Sequence, residues 1–115
     1  MSDHSTRVIE LVQAVEQFRD DREWEHAHSP ASLAQAISIE AAELLEVFLW
    51  RDDTVDFDML NRAANELADV IIYCLNFASV TGIDISNAVR SKMEHNAIKY
   101  PPAVPHARQG ELFKE

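Results

Sequence analysis

The sequence predicts an all-α protein, organised as an antiparallel four-helix bundle-like domain. Apolar residues recur at three- and four-residue spacing in four segments, and no segment alternates as a half-buried strand does. The 115 residues include only 2 Gly and 4 Pro, which is too few for the many turns of a β-sandwich or barrel. Short connections between the four segments favour antiparallel neighbours.

The first two helices are separated by a connector that ends at Pro30, since the residue before proline is disfavoured in the α region. We expect helix one between Ser5 and Trp24, with Ser5 or Thr6 as its N-cap. Helix two is expected to begin with Ser32 as N-cap and to end near Trp50. Its predicted apolar face consists of Leu33, Ile37, Ala41, Leu44, Leu45 and Phe48.

The third predicted helix runs from about Phe57 to Val80, with Gly82 as its C′ residue. The stretch Val70–Leu75 is apolar nearly all the way round, which predicts burial on more than one side.

The fourth helix should begin with Asp84 or Ser86 as cap and reach Lys99 or Tyr100, because the two prolines that follow cannot continue it. We therefore expect a helical domain over residues 1–101 and a polar C-terminal tail over 102–115.

Composition excludes several classes of protein. Ten Lys+Arg against twenty Asp+Glu give a formal charge of −10, which disfavours nucleic acid as a partner. A single cysteine, Cys74, allows no intramolecular disulfide and no multi-cysteine zinc site, and its apolar surroundings indicate a core residue. The longest apolar stretch, Val70–Val80, is too short to span a membrane. We expect a cytoplasmic protein without a membrane partner.

Two pairs of carboxylates have the spacing of one helical turn. Glu40 and Glu43 form the first pair and Glu66 and Asp69 the second, each at i and i+3, with 22 residues between the pairs. Both pairs share a stripe with apolar residues, so the acids are expected to face inward. Burying four carboxylates together is costly, and a divalent cation removes that cost.

The chemical type of these candidate ligands indicates which metal ion they would bind. A set of oxygens without histidine or cysteine favours Mg²⁺, or Mn²⁺ as a substitute, over iron, copper or zinc. Di-iron bundles use Glu-x-x-His pairs, which are absent from both motifs. Because Mg²⁺ commonly completes its shell with phosphate oxygens, the pattern favours chemistry on a phosphate ester or phosphoanhydride.

Each of the other candidate residues allows a structural interpretation as well as a functional one. Lys92, Asn96 and Lys99 share one face of helix four, with Tyr100 beside them, and form either a phosphate cradle or a solvated basic face. Aromatic side chains could pack in the core or bind a ligand: Trp24 and Trp50 by stacking on a base, Tyr73 through its hydroxyl. A zinc site at His26 and His28 is disfavoured, because no further His or Cys is close in sequence.

Together these motifs resemble a known family. Glu40-Ala-Ala-Glu43, Glu66-Leu-Ala-Asp69 and the segment from Lys92 to Pro101 are similar to the all-α nucleoside triphosphate pyrophosphohydrolases of the MazG-like superfamily. The segments around Trp24 and Trp50 resemble its small deoxycytidine triphosphate pyrophosphatase branch.

The resemblance implies Mg²⁺-dependent hydrolysis of a nucleoside triphosphate between the α- and β-phosphates, giving monophosphate and pyrophosphate. It implies a homo-oligomer, a tetramer or a dimer, whose assembly completes the domain. Carried over by position, the metal ligands would be Glu40, Glu43, Glu66 and Asp69. Glu43 and Glu46 are the candidates for the catalytic base. The substrate-binding residues would be Trp24, His28, Trp50, Tyr73, Lys92, Asn96, Lys99 and Tyr100.

One position departs from the branch. Val15 stands where these relatives carry a polar side chain that reads the base, and valine cannot form a hydrogen bond, so we expect relaxed selection among pyrimidine deoxynucleotides. Two alternatives stay open: a phosphoribosyl-ATP pyrophosphohydrolase, and a non-catalytic helical interaction module whose acids are solvated or bind a basic surface.

Overall fold

The predicted all-α class is confirmed. The structure is a computed structural model that describes residues 1–49 and 55–104, and within those ranges it contains four α-helices, one short 3-10 helix and no strand. The helices are α1 (Val8–Asp21), α2 (Pro30–Glu46), α3 (Phe57–Thr81) and α4 (Ile85–Lys99), and the 3-10 helix is Glu25–Ala27.

The chain forms two compact units, and each is described by itself. The first, Met1–Asp84, contains α1, α2 and α3, with α3 packed against both of the others. Its most buried apolar side chains are Leu33, Val47, Met59, Leu75 and Ala78. The second unit begins at Ile85 and contains α4, whose start places Asp84 at the predicted cap position.

Both predicted ends of α1 are wrong: its N-cap lies one to two residues after Ser5 or Thr6, and it ends at Asp21 and not at Trp24. Thr6 instead belongs to a preceding turn, in which its hydroxyl accepts from the Ser2 backbone N–H at 3.0 Å and its backbone N–H donates to the Ser2 carbonyl oxygen at 2.8 Å. Arg7 is the N-cap residue, and its backbone N–H donates to the Glu10 carboxylate at 2.7 Å. A carboxylate in the first turn thus satisfies a free donor at the helix start.

The predicted ends of α2 are also wrong. Ser29, not Ser32, is the N-cap, and its hydroxyl accepts a hydrogen bond from the Ser32 backbone N–H at 3.1 Å. Pro30 is the first residue of the helix, where its missing N–H costs nothing. The helix ends at Glu46, and Trp50 lies outside the described residues. On the predicted apolar face Leu33 is buried, but Leu45 is exposed.

Helix α3 matches its prediction closely at both ends. The Asp56 carboxylate caps its first turn by accepting from the Met59 backbone N–H at 2.8 Å. Gly82 ends it with φ of +75°, a left-handed conformation that glycine adopts without strain. The expectation that Val70–Leu75 is buried on several sides is wrong within this chain: Leu75 is buried, whereas Ile71 and Ile72 are 43% and 42% exposed.

An open apolar groove lies where α1 and α3 meet. Its volume is about 390 Å³, and we call it the apolar groove. It is lined by Leu11, Ala14, Val15, Ala64, Leu67, Ala68, Ile71, Ile72 and Leu75. The exposure of Leu67 and Ile71 on its rim means that α1 and α2 do not cover the whole apolar circumference of α3.

Among the described residues, no single helix is long and apolar enough to cross a membrane; α3 and α4 taken together would meet that test by length and composition alone.

Candidate metal centre and adjoining cavity

Three glutamates from two packed helices meet in the first unit. Glu40 and Glu43 lie one turn apart on α2, and Glu66 lies on α3. Each offers a carboxylate oxygen, and these oxygens all lie within 4.8 Å of one another. Glu40 and Glu66 are half-buried and Glu43 is exposed. We call these three residues the carboxylate cluster.

Burial and mutual repulsion disfavour ionisation in the carboxylate cluster. Burial raises the pKa of Glu40, and the charges of Glu43, Asp69 and Glu66 raise it further. Burial also raises the pKa of Glu66, followed by the charges of Glu43 and Asp69, a hydrogen bond with the Glu43 carboxyl and the charge of Glu46. Without a cation, the cluster therefore holds its negative charge poorly.

One atom of the cluster lacks the hydrogen bond that burial demands. The Oε1 atom of Glu66 is buried and has no hydrogen-bond donor within the described ranges. A buried carboxylate oxygen of this kind is normally satisfied by a donor or by a metal ion. Converging hard oxygen ligands with excess negative charge fit a divalent cation such as Mg²⁺.

Two further acids act on the carboxylate cluster electrostatically. Asp69, one turn after Glu66, is half-buried, and its charge raises the pKa of both Glu40 and Glu66. Glu46, one turn after Glu43, is exposed and influences Glu66. The group of oxygens within 4.8 Å thus includes three of the four predicted metal ligands, and the fourth is an electrostatic neighbour.

A cavity of about 380 Å³ lies beside this region, and Asp69 is part of its wall. We call it the aromatic cavity. Its other lining residues are Ala14, Val15, Phe18, Arg19, Trp24, His28, Ile72, Tyr73 and Asn76. Because Asp69 also interacts with the carboxylate cluster, the two sites adjoin each other through one residue.

Phe18 and Trp24 form an aromatic wall of the cavity. Their rings are 5.9 Å apart between centroids, at an angle of 64°, which is an edge-to-face arrangement. The Arg22 guanidinium lies 3.5 Å from the centroid of the Phe18 ring and donates to the Phe18 carbonyl oxygen at 3.0 Å. This contact holds the Phe18 ring in place on a largely exposed surface.

A polar network joins α1 to α3 at the same cavity. The Ser79 hydroxyl donates to Glu16 Oε2 at 2.6 Å and accepts a hydrogen bond from the Arg19 guanidinium at 3.2 Å. Arg19 also pairs with Asp20 at 3.0 Å, and its side chain is only 11% exposed. The guanidinium is therefore a fixed positive charge in the cavity wall.

His28 and Asn76 contribute buried polar atoms to the same region, and their side chains interact with each other. Burial lowers the pKa of His28, and the nearby positive charge of Arg19 lowers it further, whereas an interaction with the Asn76 side chain raises it. His28 Nδ1 and Asn76 Oδ1 are buried and make no hydrogen bond of ordinary geometry to any described residue. Both residues line the aromatic cavity, where their side chains interact with each other.

The predicted substrate-binding residues fall into three groups. Trp24, His28 and Tyr73 line the aromatic cavity together. Trp50 lies outside the described residues. The remaining four, Lys92, Asn96, Lys99 and Tyr100, belong to the second unit, where Asn96 is half-buried and the other three are exposed.

Two polar cavity residues, Arg19 and Asn76, were not among the sequence-predicted site residues. Arg19 looks like an ordinary charge between apolar positions of α1, and nothing in its spacing distinguishes it. Asn76 carried a usable signal, because it interrupts the longest apolar stretch of the chain. A lone amide in an apolar run either contacts solvent or is buried and needs a hydrogen-bond partner.

Comparison with known proteins assigns the family. The family model for the MazG-like family matches residues 35–111, which include both carboxylate motifs. The chain belongs to the MazG-like family. Two curated relatives are both named dCTP pyrophosphatase 1: the Mus musculus protein is 38% identical and the Homo sapiens protein 37% identical, each over 91 residues.

The extent of these similarities differs between relatives. Each dCTP pyrophosphatase 1 alignment covers 74% of this MazG-like chain and 54% of the relative, so the chain spans about half the length of the curated relatives it matches. The crystal structure of a pyrophosphatase from Archaeoglobus fulgidus DSM 4304 is 41% identical, with a TM-score of 0.76. That match covers 89% of this chain and 99% of the archaeal one.

Proposed function

We propose that this MazG-like protein is a Mg²⁺-dependent nucleoside triphosphate pyrophosphohydrolase, acting on dCTP or a related or modified pyrimidine deoxynucleotide. The observation that carries the proposal is the carboxylate cluster beside an aromatic cavity, joined to it through Asp69. A cation site adjoining a pocket for a planar ring suits a nucleotide, which has a base at one end and phosphates at the other. The names of the relatives support the same reaction.

In this proposal Glu40, Glu43, Glu66 and Asp69 would hold the metal, with Mn²⁺ as a possible substitute for Mg²⁺. The metal would supply neutralisation of the triphosphate, polarisation of a phosphate oxygen and a lower pKa for the attacking water. The buried, unpaired Oε1 atom of Glu66 supports a cation at this position.

The protein's own residues would bind and orient the nucleotide, and a carboxylate would remove a proton from the attacking water. Glu43 or Glu46 is the proposed base, because both are exposed carboxylates on α2 near Glu66. Trp24, with Phe18, would stack on the base, and Trp50 would bracket it from another side. Tyr73 and His28 would line the base pocket.

From the family resemblance, we propose that residues of the second unit bind the phosphates and the sugar. Lys92 and Lys99 would neutralise phosphate charge, and Asn96 and Tyr100 would donate hydrogen bonds. We propose residues 1–101 as the catalytic domain, 102–115 as a tail, and a cytoplasmic location.

We further propose that the protein is a homo-oligomer, a tetramer or a dimer, in which a second copy covers the apolar groove. Leu67 and Ile71 are 50% and 43% exposed there, and burial of such side chains against an identical groove would be favourable.

The decisive experiment is a pyrophosphate-release screen of the purified protein with Mg²⁺ across standard and modified NTPs and dNTPs and phosphoribosyl-ATP. The expected result is monophosphate plus pyrophosphate from a deoxypyrimidine triphosphate. Release only from phosphoribosyl-ATP would replace the proposed substrate with that of histidine biosynthesis. No release from any substrate, in folded protein that gains no stability with Mg²⁺, would instead support a helical interaction module.

A further inference from the structure

The backbone turn after α1 fixes the backbone of Trp24. Two hydrogen bonds of 3.1 Å close this turn, from the Glu23 N–H to the Asp20 carbonyl oxygen and from the Trp24 N–H to the Arg19 carbonyl oxygen. With Glu23 in the left-handed region at φ of +55°, they form a Schellman turn. The Trp24 carbonyl oxygen in turn accepts from the Ala27 N–H at 3.0 Å. Both backbone polar groups of Trp24 are therefore bonded, and its remaining freedom lies in the side chain.

The turn directs the Trp24 side chain back onto the helix that precedes it. A Schellman turn commonly packs an apolar residue after the turn against one in the last turns of the helix, and here that pair is Trp24 and Phe18. Their mutual packing leaves much of each ring in solvent, because Phe18 is 52% and Trp24 49% exposed. Burial in this chain therefore does not by itself hold the two rings in one orientation.

Arg22 adds a contact to both rings. Its guanidinium lies 3.5 Å from the centroid of the Phe18 ring and 6.0 Å from that of the Trp24 ring. It also donates to the Phe18 carbonyl oxygen at 3.0 Å. Within the described ranges Arg22 forms no ion pair, although acidic residues are close to it in sequence. Its contacts are thus a cation–π interaction that a hydrogen bond anchors to the same helix.

We propose that Arg22 is a positioning residue of the aromatic cavity, which acts through Phe18 and Trp24 to hold the wall on which a planar ring binds. The inference rests on the proposed function, because that function places a nucleotide base in this cavity. Ordering side chains on binding lowers affinity, so a wall that is ordered before the ligand arrives binds it more tightly. Arg22 does not line the cavity itself, and its effect on the base passes through the two rings.

The first measurement uses no nucleotide, so its result does not depend on the proposed function. The chain contains two tryptophans, and Trp50→Phe leaves Trp24 as the sole indole fluorophore. Time-resolved fluorescence anisotropy in this background reports the picosecond-to-nanosecond motion of the Trp24 ring. Arg22→Met should increase the amplitude of this fast depolarisation. Arg62→Met, which removes an exposed arginine from α3 in the same unit, should leave it unchanged.

The second measurement tests the effect of Arg22 on a bound ring. Calorimetric titration with 2′-deoxycytidine 5′-monophosphate and Mg²⁺ gives Kd for chains that retain Trp50. Arg22→Met should weaken binding about three- to fivefold, the loss expected from one exposed cation–π contact. Arg62→Met removes the same charge and should bind as wild type does. Arg22 and Arg62 are both exposed, so the variants should keep their helical circular dichroism.

A double-mutant cycle separates positioning from direct attraction between Arg22 and the phosphate. If Arg22 acts through the Phe18 ring, Arg22→Met should not change Kd further in a chain that already carries Phe18→Leu. If its charge attracts the phosphate, the loss of affinity should be equal with and without Phe18→Leu. The half-exposed position of Phe18 allows this substitution without removing a buried side chain.

Unchanged motion of Trp24 in Arg22→Met would overturn the proposal. An unchanged Kd in Arg22→Met, or an equal loss of affinity with and without Phe18→Leu, would also overturn it. Pyrophosphate release from dCTP, measured on the same preparations, separates this proposal from the proposed function. Release by wild type combined with any of these three results would remove the role of Arg22 and retain the enzyme. Increased Trp24 motion in Arg22→Met, in a protein that neither binds nor cleaves nucleotides, would retain the role of Arg22 in the cavity wall and remove the enzyme.

Discussion

Two faces of α3 reverse the usual relation between polarity and burial. On one face Glu66, Asp69 and Asn76 are half-buried or buried, and two of them carry polar atoms without a hydrogen bond. On the other face Leu67 and Ile71 are substantially exposed in the apolar groove. Helix packing alone would favour the opposite arrangement. The polar face fits the proposed nucleotide and cation, and the apolar face fits the proposed second copy of the chain.

The largest expected effect tests the polar face. Glu43→Gln should lower kcat/KM for dCTP by more than about 100-fold, which exceeds the loss usual for a residue that only supports a metal ligand. Glu43 is exposed, so the variant should keep its helical circular dichroism. Pyrophosphate release at saturating Mg²⁺ provides the measurement.

Asp58→Asn is the matched control for Glu43→Gln, because it removes one exposed negative charge from the start of α3. Its activity should stay close to that of wild type. Full activity in Glu43→Gln would contradict the assignment of the carboxylate cluster as the catalytic centre.

The polar face also shows how far sequence reasoning reaches. The i, i+3 spacing predicted that Glu40 and Glu43 share a helical face, and both carboxylates lie near that of Glu66. The expectation that these acids face inward is wrong for Glu43, which is exposed, whereas Glu40 is half-buried. Asn76 escaped prediction as a cavity residue because the cavity is also built from α1 and from the segment before α2. No spacing within α3 encodes that cavity.

The second prediction tests the apolar face. Ile71→Glu should convert the proposed oligomer to a monomer, because a charge in a covered apolar groove loses its hydration. Sedimentation velocity gives the oligomeric state directly. Val104→Glu, at an exposed residue of the second unit, is the control and should sediment as wild type does. A wild-type monomer, or an Ile71→Glu variant of unchanged size, would show that the groove is not a subunit interface.

The apolar face also shows a limit of predictions that are made from hydrophobic periodicity. An apolar run predicted that Val70–Leu75 is buried, and in this chain Leu75 is buried while Ile71 is exposed. Periodicity reports how much apolar surface a helix has, and it does not report whether the same chain covers it. The cap of α2 was missed for a local reason: Pro30 can start a helix, which moved the cap from Ser32 to Ser29.

The third prediction sharpens the electrostatic description of the polar face. Mg²⁺ should raise the Tm of wild type, since a ligand at about 100 times its Kd stabilises the folded state by about 2.7 kcal/mol. Glu66→Gln should lose most of this increase. Without metal, the same variant should melt at a higher temperature than wild type near neutral pH, because glutamine removes a charge that burial and Glu43 disfavour.

Differential scanning calorimetry with and without Mg²⁺ measures both effects of Glu66→Gln. Glu94→Gln, an exposed acid on α4, controls for the general loss of negative charge. Equal Mg²⁺ responses in wild type and Glu66→Gln would place the cation elsewhere. A metal-free Glu66→Gln variant less stable than wild type would mean that Glu66 contributes packing that outweighs its repulsion.

The smallest expected effect concerns His28, where the aromatic cavity meets a titratable group. Burial and the charge of Arg19 lower the pKa of His28 in the folded protein, so below about pH 6.5 the unfolded chain binds its proton more readily than the folded chain does. This residue's contribution to stability is therefore complete above that pH and decreases as pH falls toward the lowered folded-state pKa. His28→Gln should give a flatter dependence of the free energy of unfolding on pH between about 7.5 and 5.5. Urea denaturation across that range measures the difference from wild type, in which titrations shared by both proteins cancel.

His26→Gln removes an exposed imidazole two residues away and serves as the reference. An identical slope in wild type and His28→Gln would mean that folding does not lower the pKa of His28.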